Sequence, residues 1–269
     1  MGQHFLGHPV WQRKISETLP HDPGCVWIEI GAGHGEMTRL LASPGGRVIG
    51  IEADLRLAKS LGERVRHYPK EWAGVEVVAG DALQADLGKL AGGRFRVYGN
   101  LPYYITSPLL HHLFHWADQI DSIHVVVQWE VAARIVARPD RRTYGYLSVF
   151  CQFYAKPEIV NRIPPGAFRP PPRVSSALLR MTLPGERVRL AKSLGLGDEG
   201  GFLDFVKGCF RQKRKTLRNN LRAAFPDERI QVALEQCRLR PETRAEQLTL
   251  DQFTQLFLRL GNALDTQFL

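Results

Sequence analysis

The chain has 269 residues and is basic, with 36 Lys and Arg against 27 Asp and Glu and a formal net charge of +9 at pH 7. Its hydrophobic fraction of 44% is that of a globular protein, which excludes an intrinsically disordered or collagen-like chain. This length allows one large domain or a main domain with a smaller companion. The excess of positive charge favours a polyanionic partner, most often nucleic acid.

The cysteines, two histidines and the longest uncharged run indicate the cellular compartment and whether a metal site or a membrane span is expected. Four cysteines without a C-x-x-C pair are typical of reduced thiols in a cytosolic protein and disfavour zinc. His111 and His115 have a helical i, i+4 spacing, but no Cys or acid lies in register with them. The longest uncharged run, 97–117, is interrupted by prolines and histidines. We therefore predict a cytoplasmic protein with no metal site and no membrane partner.

Apolar runs alternate with helical stretches over the first half of the chain, which is typical of a mostly parallel sheet. Because parallel strands bring their carboxyl ends to one edge of the sheet, the polar residues that follow these runs are expected to form one site. The five predicted strands are 26–30, 47–51, 75–78, 95–98 and 122–127.

The second half of the chain changes character near residue 184. Two more strands are predicted, over 147–154 and 176–181, with a proline-rich turn between them. Beyond this point glycines and Pro184 punctuate a segment that is typical of helices only. The sequence therefore predicts an α/β domain over 1–184 and a small helical domain over 185–269.

A glycine-rich turn follows the first predicted strand. Gly31, Gly33 and Gly35 open a helix, so the main chain there can pass close to a ligand. The turn departs from the dinucleotide pattern G-x-G-x-x-G because Glu36 occupies the sixth position. Glu29 adds a carboxylate just before the turn. This carboxylate favours a cationic group on the ligand over a phosphate.

Acidic residues also end the second and third predicted strands. Glu52 is suited to bind both ribose hydroxyls, and Asp81 is suited to bind the amine of an adenine. Each could equally be a solvated acid if it stood alone. Acids at three successive strand ends suit a nucleoside that carries positive charge and no phosphate. We therefore favour S-adenosylmethionine over NAD as the cofactor.

The most specific motif is the run Asn100, Leu101, Pro102 and Tyr103, which follows the fourth predicted strand. A planar amine such as adenine N6 is a poor nucleophile because its lone pair is delocalised into the ring. The Asn100 side-chain oxygen and the Leu101 carbonyl can accept hydrogen bonds from both N–H groups and orient the lone pair. Tyr103 offers a ring on which the base can stack. The motif predicts methyl transfer to an exocyclic amine.

With these motifs the chain resembles the ribosomal RNA adenine dimethyltransferases, in particular the small-subunit enzymes, over nearly its whole length. The resemblance implies a Rossmann-like class I methyltransferase sheet with a small C-terminal all-α domain. It also implies S-adenosylmethionine-dependent dimethylation of two adjacent adenosines in 16S-type rRNA of the small ribosomal subunit. The boxes that carry it are GQHFL at 2–6, EIGAGHG at 29–35, GNLPYYITSP at 99–108, QWEVAARIVARP at 128–139, FRPPPRVSSA at 168–177 and RQKRKTLRNNL at 211–221.

The resemblance also assigns roles to particular residues. It implies that Tyr103 and Phe168 sandwich a flipped adenine while Asn100 and Leu101 orient its N6. The family usually has asparagine at the position of His4. The cofactor-binding residues that it implies are His4, Leu6, Gly31, Gly33, Glu52, Asp81, Ala82 and Asn100.

A basic segment lies in the predicted helical domain. Residues 203–222 contain seven basic residues and one acid. A single helix over this segment would place its basic residues on one face, with almost no acid to pair with them, so we predict an RNA phosphate-binding helix. The predicted face consists of Lys207, Arg211, Arg214, Arg218 and Arg222. A second basic cluster consists of Arg134, Arg138, Arg141 and Arg142.

The sequence leaves two other functions open. Boxes of the Asn-x-Pro-Tyr type also serve large-subunit rRNA and DNA adenine methyltransferases. A non-catalytic ribosome-assembly factor would use only the basic segment. For each of these functions we expect a monomer.

Overall fold

The computed structural model describes residues 4–42, 46–102 and 105–261. The chain divides into two compact units, the first formed by 1–132 and 156–183 and the second by 133–155 and 184–269. This division differs from the predicted one in segment 133–155, which belongs with the C-terminal helices.

Seven strands form one sheet in the first unit. They are β1 (Val26–Ile30), β2 (Arg47–Glu52), β3 (Val75–Ala79), β4 (Phe95–Asn100), β5 (Ile120–Gln128), β6 (Lys156–Ile163) and β7 (Ser176–Thr182). The strand order is β3-β2-β1-β4-β5-β7-β6. Strands β1 to β5 pair in parallel, and β7 is antiparallel to both β5 and β6. The five predicted parallel strands and the predicted α/β class are confirmed.

Helices connect the strands of the first unit. They are α1 (Pro9–Ser16), α2 (Glu36–Leu41), α3 (Leu55–His67), α4 (Leu87–Ala91) and α5 (Thr106–Phe114), followed by α6 (Trp129–Ile135). Asp54 caps the N-terminus of α3, because its side chain accepts hydrogen bonds from the first-turn amides of Arg56 and Leu57. Helix α3 buries Ala58 and Leu61, which lie three residues apart on one face. The helix packs against β2 and β3.

The prediction of a strand over 147–154 is wrong. This run forms α7 (Tyr146–Tyr154), and the strand β6 follows it. A continuous apolar run does not distinguish a buried strand from a buried helix. Polar contacts favour the helix, because the Ser148 hydroxyl donates to the Arg134 carbonyl and the Gln152 amide donates to the carbonyls of Ile135 and Ala137.

The described residues of the second unit form helices and no strands. Besides α7 they are α8 (Arg187–Leu194), α9 (Glu199–Cys209), α10 (Leu217–Leu221), α11 (Asp227–Gln236) and α12 (Leu250–Gly261). Segment 133–155 joins this unit because Tyr144 donates its hydroxyl to the Leu248 carbonyl and Phe153 packs against Phe202 with ring centroids 5.4 Å apart. Across the described ranges, every helix is too short or too polar to cross a membrane.

Candidate active site

The glycine turn connects β1 to α2 and is anchored to the neighbouring strand. The amides of Gly31 and Ala32 donate to the Ile51 carbonyl at 2.8 and 3.2 Å. The Gly33 amide donates to Oε2 of Glu52 at 2.7 Å. Gly31, Gly33 and Gly35 have φ values of +75°, +57° and +84°, a region that favours glycine. The turn therefore needs these glycines and presents bare main chain at the sheet edge.

The predicted acids come together at adjacent strand ends. Glu52 is buried, and its two carboxylate oxygens accept hydrogen bonds from the amides of Gly33 and Asp54. Asp81 follows β3 and accepts from the Leu83 amide at 2.9 Å, with buried Ala82 between them. Because β1, β2 and β3 are neighbours, the glycine turn and both acids share one edge. We call Gly31, Gly33, Glu52 and Asp81 the cofactor edge.

Glu29, which lies in β1 just before the glycine turn, is the residue that best tests the fit of the cofactor edge to a cationic cofactor. Its side chain is buried, and Oε2 has no hydrogen-bond partner among the described residues. Burial raises the pKa of Glu29 to about 8; the Thr38 hydroxyl beside it opposes this rise and the carboxylates of Glu36 and Glu52 add to it. A buried carboxyl with an unused oxygen suits a ligand that brings positive charge.

Asn100 ends β4, which lies beside β1 in the sheet. Its side-chain nitrogen donates to the His4 carbonyl at 2.7 Å, which leaves the side-chain oxygen as the acceptor. Leu101 is buried, and its amide donates to the Val126 carbonyl on β5 at 3.1 Å. The Pro102 carbonyl accepts from the Ile105 amide. The first three residues of the predicted catalytic motif are thus fixed by hydrogen bonds; Tyr103 lies outside the described residues.

The N-terminal segment lies over Asn100 and pairs with segment 167–170. Phe5 and Arg169 form an antiparallel bridge with hydrogen bonds of 3.0 and 2.8 Å. The His4 ring nitrogen Nδ1 lies 2.7 Å from the Pro170 carbonyl. Leu6 is buried, and its carbonyl accepts from Gln12. Of the predicted opening box at 2–6, His4 therefore contacts the catalytic motif, and residues 2 and 3 lie outside the described residues.

Phe168, the predicted stacking residue, is only 2% exposed. Its ring belongs to an apolar cluster that also contains Leu6, Tyr98 and Ala167. A base can stack on this ring only after one of its faces is uncovered. Its role in base binding stays a prediction.

Sequence reasoning missed a buried polar row beneath the site. Glu29, Tyr98 and His124 are cross-strand neighbours on β1, β4 and β5. Burial, assisted by the charge of Glu29, raises the pKa of Tyr98, and burial, assisted by Arg180 and Arg96, lowers the pKa of His124 to about 3. In the sequence, the signal for this row is a polar residue within each of three mostly apolar strands. Burial therefore favours the uncharged form of each of these three groups.

Ring nitrogens of His112, in α5, and of His115, which follows α5, lie within hydrogen-bond distance of main-chain carbonyls. His112 Nε2 lies 3.1 Å from the Ala85 carbonyl, and His115 Nδ1 lies 2.9 Å from the His111 carbonyl. Within the described parts of the chain, no three His, Cys, Asp or Glu side chains form a group that could hold a metal ion.

The predicted continuous basic helix over 203–222 is wrong. Helix α9 ends at Cys209 and α10 begins at Leu217. The Asn220 side chain accepts from the Gln212 amide and donates to the Gln212 carbonyl, and Thr216 caps α10 with its hydroxyl. These local polar bonds compete with helical ones and stabilise a loop over 210–216.

Two of the predicted RNA-binding arginines have an acidic partner. Arg218 and Arg222 both form ion pairs with Asp227, which follows the basic segment 203–222 in the sequence. Lys207, on α9, and Arg211 and Arg214, in the loop, are exposed.

The loop over 210–216 lies beside another basic segment of the same unit. Lys213 donates to the Arg142 carbonyl at 2.7 Å, which brings the loop next to the exposed Arg138, Arg141 and Arg142. We call segments 138–142 and 210–216 the basic loops. They assemble positive charge from two parts of the chain, where the sequence predicted one helix.

The sheet order and the cofactor edge define a class I methyltransferase fold. Two solved structures are similar over the whole chain. A dimethyladenosine transferase from Plasmodium falciparum matches with a TM-score of 0.81 and 24% identity, covering 96% of this chain and 98% of that one. The 23S rRNA methyltransferase ErmE matches with a TM-score of 0.70 and 27% identity, covering 96% and 99%.

The particular family follows from the sequence comparisons. The family model described as ribosomal RNA adenine dimethylase matches residues 1–262, and the chain belongs to this family. Proteins named ribosomal RNA small subunit methyltransferase A are 41% identical in Acidobacterium capsulatum and 37% identical in Koribacter versatilis. Each alignment covers 97% of this chain, and 90% and 93% of the respective relatives. The resemblance identified from the sequence boxes is confirmed.

Proposed function

We propose that the protein transfers methyl groups from S-adenosylmethionine to N6 of two adjacent adenosines in small-subunit rRNA, twice per base. The observation that carries the proposal is the position of Asn100 and Leu101 at the end of β4, next to the glycine turn of β1. An amine acceptor site and a cofactor edge on neighbouring strands can bring the two reacting groups together. Membership of the rRNA adenine dimethylase family supports adenine as the acceptor.

The residues of the cofactor edge divide the binding of the cofactor among them. Glu52 would accept hydrogen bonds from the ribose hydroxyls, and Asp81 would accept one from the adenine amine. Gly31 and Gly33 would let the main chain approach the ligand. Buried Glu29 would lose its proton to solvent when the cofactor binds and so balance the positive charge of the ligand. His4, Leu6 and Ala82 are the remaining residues that we propose to contact the cofactor. The cofactor supplies an electrophilic methyl group on its sulfonium when bound.

The chain itself positions the acceptor base. The Asn100 side-chain oxygen and the Leu101 carbonyl would accept hydrogen bonds from the two N6 hydrogens and direct the lone pair towards the methyl group. Such positioning contributes about 7 kcal/mol in favourable cases. Its geometry is fixed before the base enters, because Asn100 is bound to His4 and Leu101 to Val126. Tyr103 and Phe168 are the proposed stacking partners of the flipped base.

The basic loops are the proposed RNA contact. Their exposed guanidinium and ammonium groups suit phosphates, and Lys207 on α9 would extend the contact. Binding should therefore weaken steeply as salt rises. A ribosomal substrate implies that the protein acts in the cytoplasm, and we infer that it does so as a monomer.

Transfer of a tritiated methyl group tests the proposal. The wild-type protein should label immature small subunits and give little product on large-subunit RNA or duplex DNA. Product analysis should show dimethyladenosine at two adjacent positions. Labelling of large-subunit RNA or DNA instead would overturn the substrate. RNA binding without any methyl transfer would favour an assembly factor and overturn the enzymatic activity.

A further inference from the structure

The far end of the glycine turn is held by α3. The His34 carbonyl accepts a hydrogen bond from the guanidinium of Arg64. A Cβ on Gly35 would lie 2.5 Å from Leu61 Cδ1 and 2.8 Å from the Trp72 ring, closer than carbon atoms pack. Leu61 of α3 and Trp72 therefore pack directly against the main chain of the turn at Gly35.

Trp72 in turn fixes the direction of the Arg64 side chain. The guanidinium carbon of Arg64 lies over the Trp72 ring, 5.7 Å from its centroid. A guanidinium is attracted to the face of an indole. Trp72 is buried and packs with Ala32 and Leu61 in one apolar cluster. The ring is thus a rigid support for a cation that holds a carbonyl of the turn.

The near end of the turn has a different anchor. There the amides of Gly31 and Ala32 bind the Ile51 carbonyl, and the Gly33 amide binds Glu52. The turn is therefore stretched between β2 at one end and α3 at the other. Losing the Arg64 hydrogen bond would leave the strand anchor intact and release the His34 carbonyl.

We propose that Arg64 is a positioning residue that sets the affinity for the cofactor by fixing the His34 end of the glycine turn. The proposal rests on the proposed function, in which this turn binds S-adenosylmethionine. Arg64 acts through the main chain of the turn. Its loss should weaken cofactor binding and leave the chemistry at Asn100 unchanged.

The surroundings of Arg64 allow this side chain to be removed without unfolding the protein. A cavity of about 250 Å³, lined by Gln12, Arg39, Arg64 and Trp72 among others, opens to solvent beside it. Truncation enlarges this open cavity and creates no sealed void. The buried Nε of Arg64 also has no partner among the described residues, so its removal eliminates one unsatisfied donor.

Three variants of the full chain test the proposal. Arg64→Met removes the guanidinium, Arg64→Lys keeps the charge without the planar fork, and Arg66→Met is the control. Arg66 lies on the same helix and is exposed. The Kd for S-adenosylmethionine is measured by calorimetry, the thermal midpoint by scanning, and kcat and KM by methyl transfer to small-subunit RNA.

Arg64→Met should raise both the Kd and the KM for S-adenosylmethionine about tenfold, as expected for loss of a charge-assisted hydrogen bond. Its kcat and thermal midpoint should match those of Arg66→Met, which should behave as wild type. Arg64→Lys should lie nearer to the Met variant than to wild type. Equal Kd values for Arg64→Met and Arg66→Met would overturn the proposal, and so would a fall in kcat alone.

The two proposals fail in different ways. If the wild-type protein binds S-adenosylmethionine without methylating RNA, the proposed function is wrong and the comparison of Kd values still tests Arg64. If all variants bind equally and methylate RNA, only the role of Arg64 is wrong. If the wild type binds no S-adenosylmethionine, both proposals are overturned.

Discussion

The cofactor edge holds its polar side chains by hydrogen bonds to the main chain, whereas the basic loops leave most of theirs exposed to solvent. Glu52 is buried and accepts from two backbone amides. Arg211 and Arg214 are exposed on an irregular loop. A small cofactor needs groups fixed in advance, because positioning lowers the barrier. A long polyanion needs positive charge that adapts to its surface. Substitutions at the cofactor edge and in the basic loops should therefore differ in the size of their effects.

The largest effect is expected at the catalytic motif. Asn100→Ala should lower kcat about 100-fold or more, because the acceptor that orients N6 is lost. The Kd for S-adenosylmethionine should change less than about fivefold, since the carboxylates and the turn remain. Methyl-transfer kinetics and calorimetry measure the two quantities. Asn161→Ala, on the edge strand β6 three strands from β4, is the matched control. Full activity in Asn100→Ala would contradict the assigned role.

The next effect concerns Glu29, whose carboxyl group is buried at the cofactor edge. Its pKa is raised from 4.5 to about 8, so the folded state holds a proton that the unfolded state loses. This stabilisation is complete below pH 4.5 and is lost as pH rises towards 8. Between pH 4 and pH 7, the unfolding free energy of the wild type should therefore fall by about 3 kcal/mol more than that of Glu29→Gln.

Denaturant titrations of both proteins from pH 4 to pH 8 measure the Glu29 effect. Parallel stability curves for wild type and Glu29→Gln would show that the carboxyl group ionises normally. Glu29→Gln should also bind S-adenosylmethionine more weakly, because glutamine, unlike Glu29, cannot lose a proton to balance the positive charge of the ligand.

The basic loops should give a moderate effect that depends on salt. The double variant Arg211→Ala, Arg214→Ala should weaken RNA binding about tenfold and reduce the salt slope by about 1–2. Arg218→Ala should change RNA affinity less, because its guanidinium pairs with Asp227. Filter binding at several salt concentrations measures both. An equal loss from Arg218→Ala would favour the predicted five-residue RNA face in spite of the broken helix.

The smallest effect is expected from the ion pairs of Asp227. The guanidinium groups of Arg218 and Arg222 lower the pKa of this carboxyl group through hydrogen bonds. Because the pKa is lowered, its stabilisation is present above the ordinary value of 3.8 and is lost in acid. Asp227→Asn should shift the thermal midpoint by about 2 °C or less at pH 7, since exposed ion pairs contribute little. The difference should shrink as pH falls below 3.8, and a larger shift at pH 7 would contradict this assignment.

The cofactor edge could be predicted because parallel strands bring distant residues together by a simple rule. Gly31, Glu52, Asp81 and Asn100 each follow an apolar run, and the sheet order makes them neighbours. The pairing of Phe5 with Arg169 could not be predicted, since nothing local in either segment specifies a partner 164 residues away.

The helical unit was harder to predict because its local signals are ambiguous. The apolar run 147–154 fits a buried strand as well as a buried helix. The periodicity of 203–222 predicts a helix, yet the side chain of Asn220 binds the main chain of Gln212 and stabilises a loop. Asp227 follows the basic segment in the sequence, and only the fold shows that it pairs with Arg218 and Arg222.

The pairing of β7 with β5 has a consequence for the order in which the protein folds during synthesis. Strand β5 ends at Gln128 and its partner begins at Ser176, so the sheet stays incomplete until Thr182 has left the ribosome. By then segment 133–155, which contains α7, has also emerged. The C-terminal helices against which α7 packs have not yet emerged. Closing such a long loop is slow. The nascent chain therefore exposes the surface of α7 until 184–261 have been made.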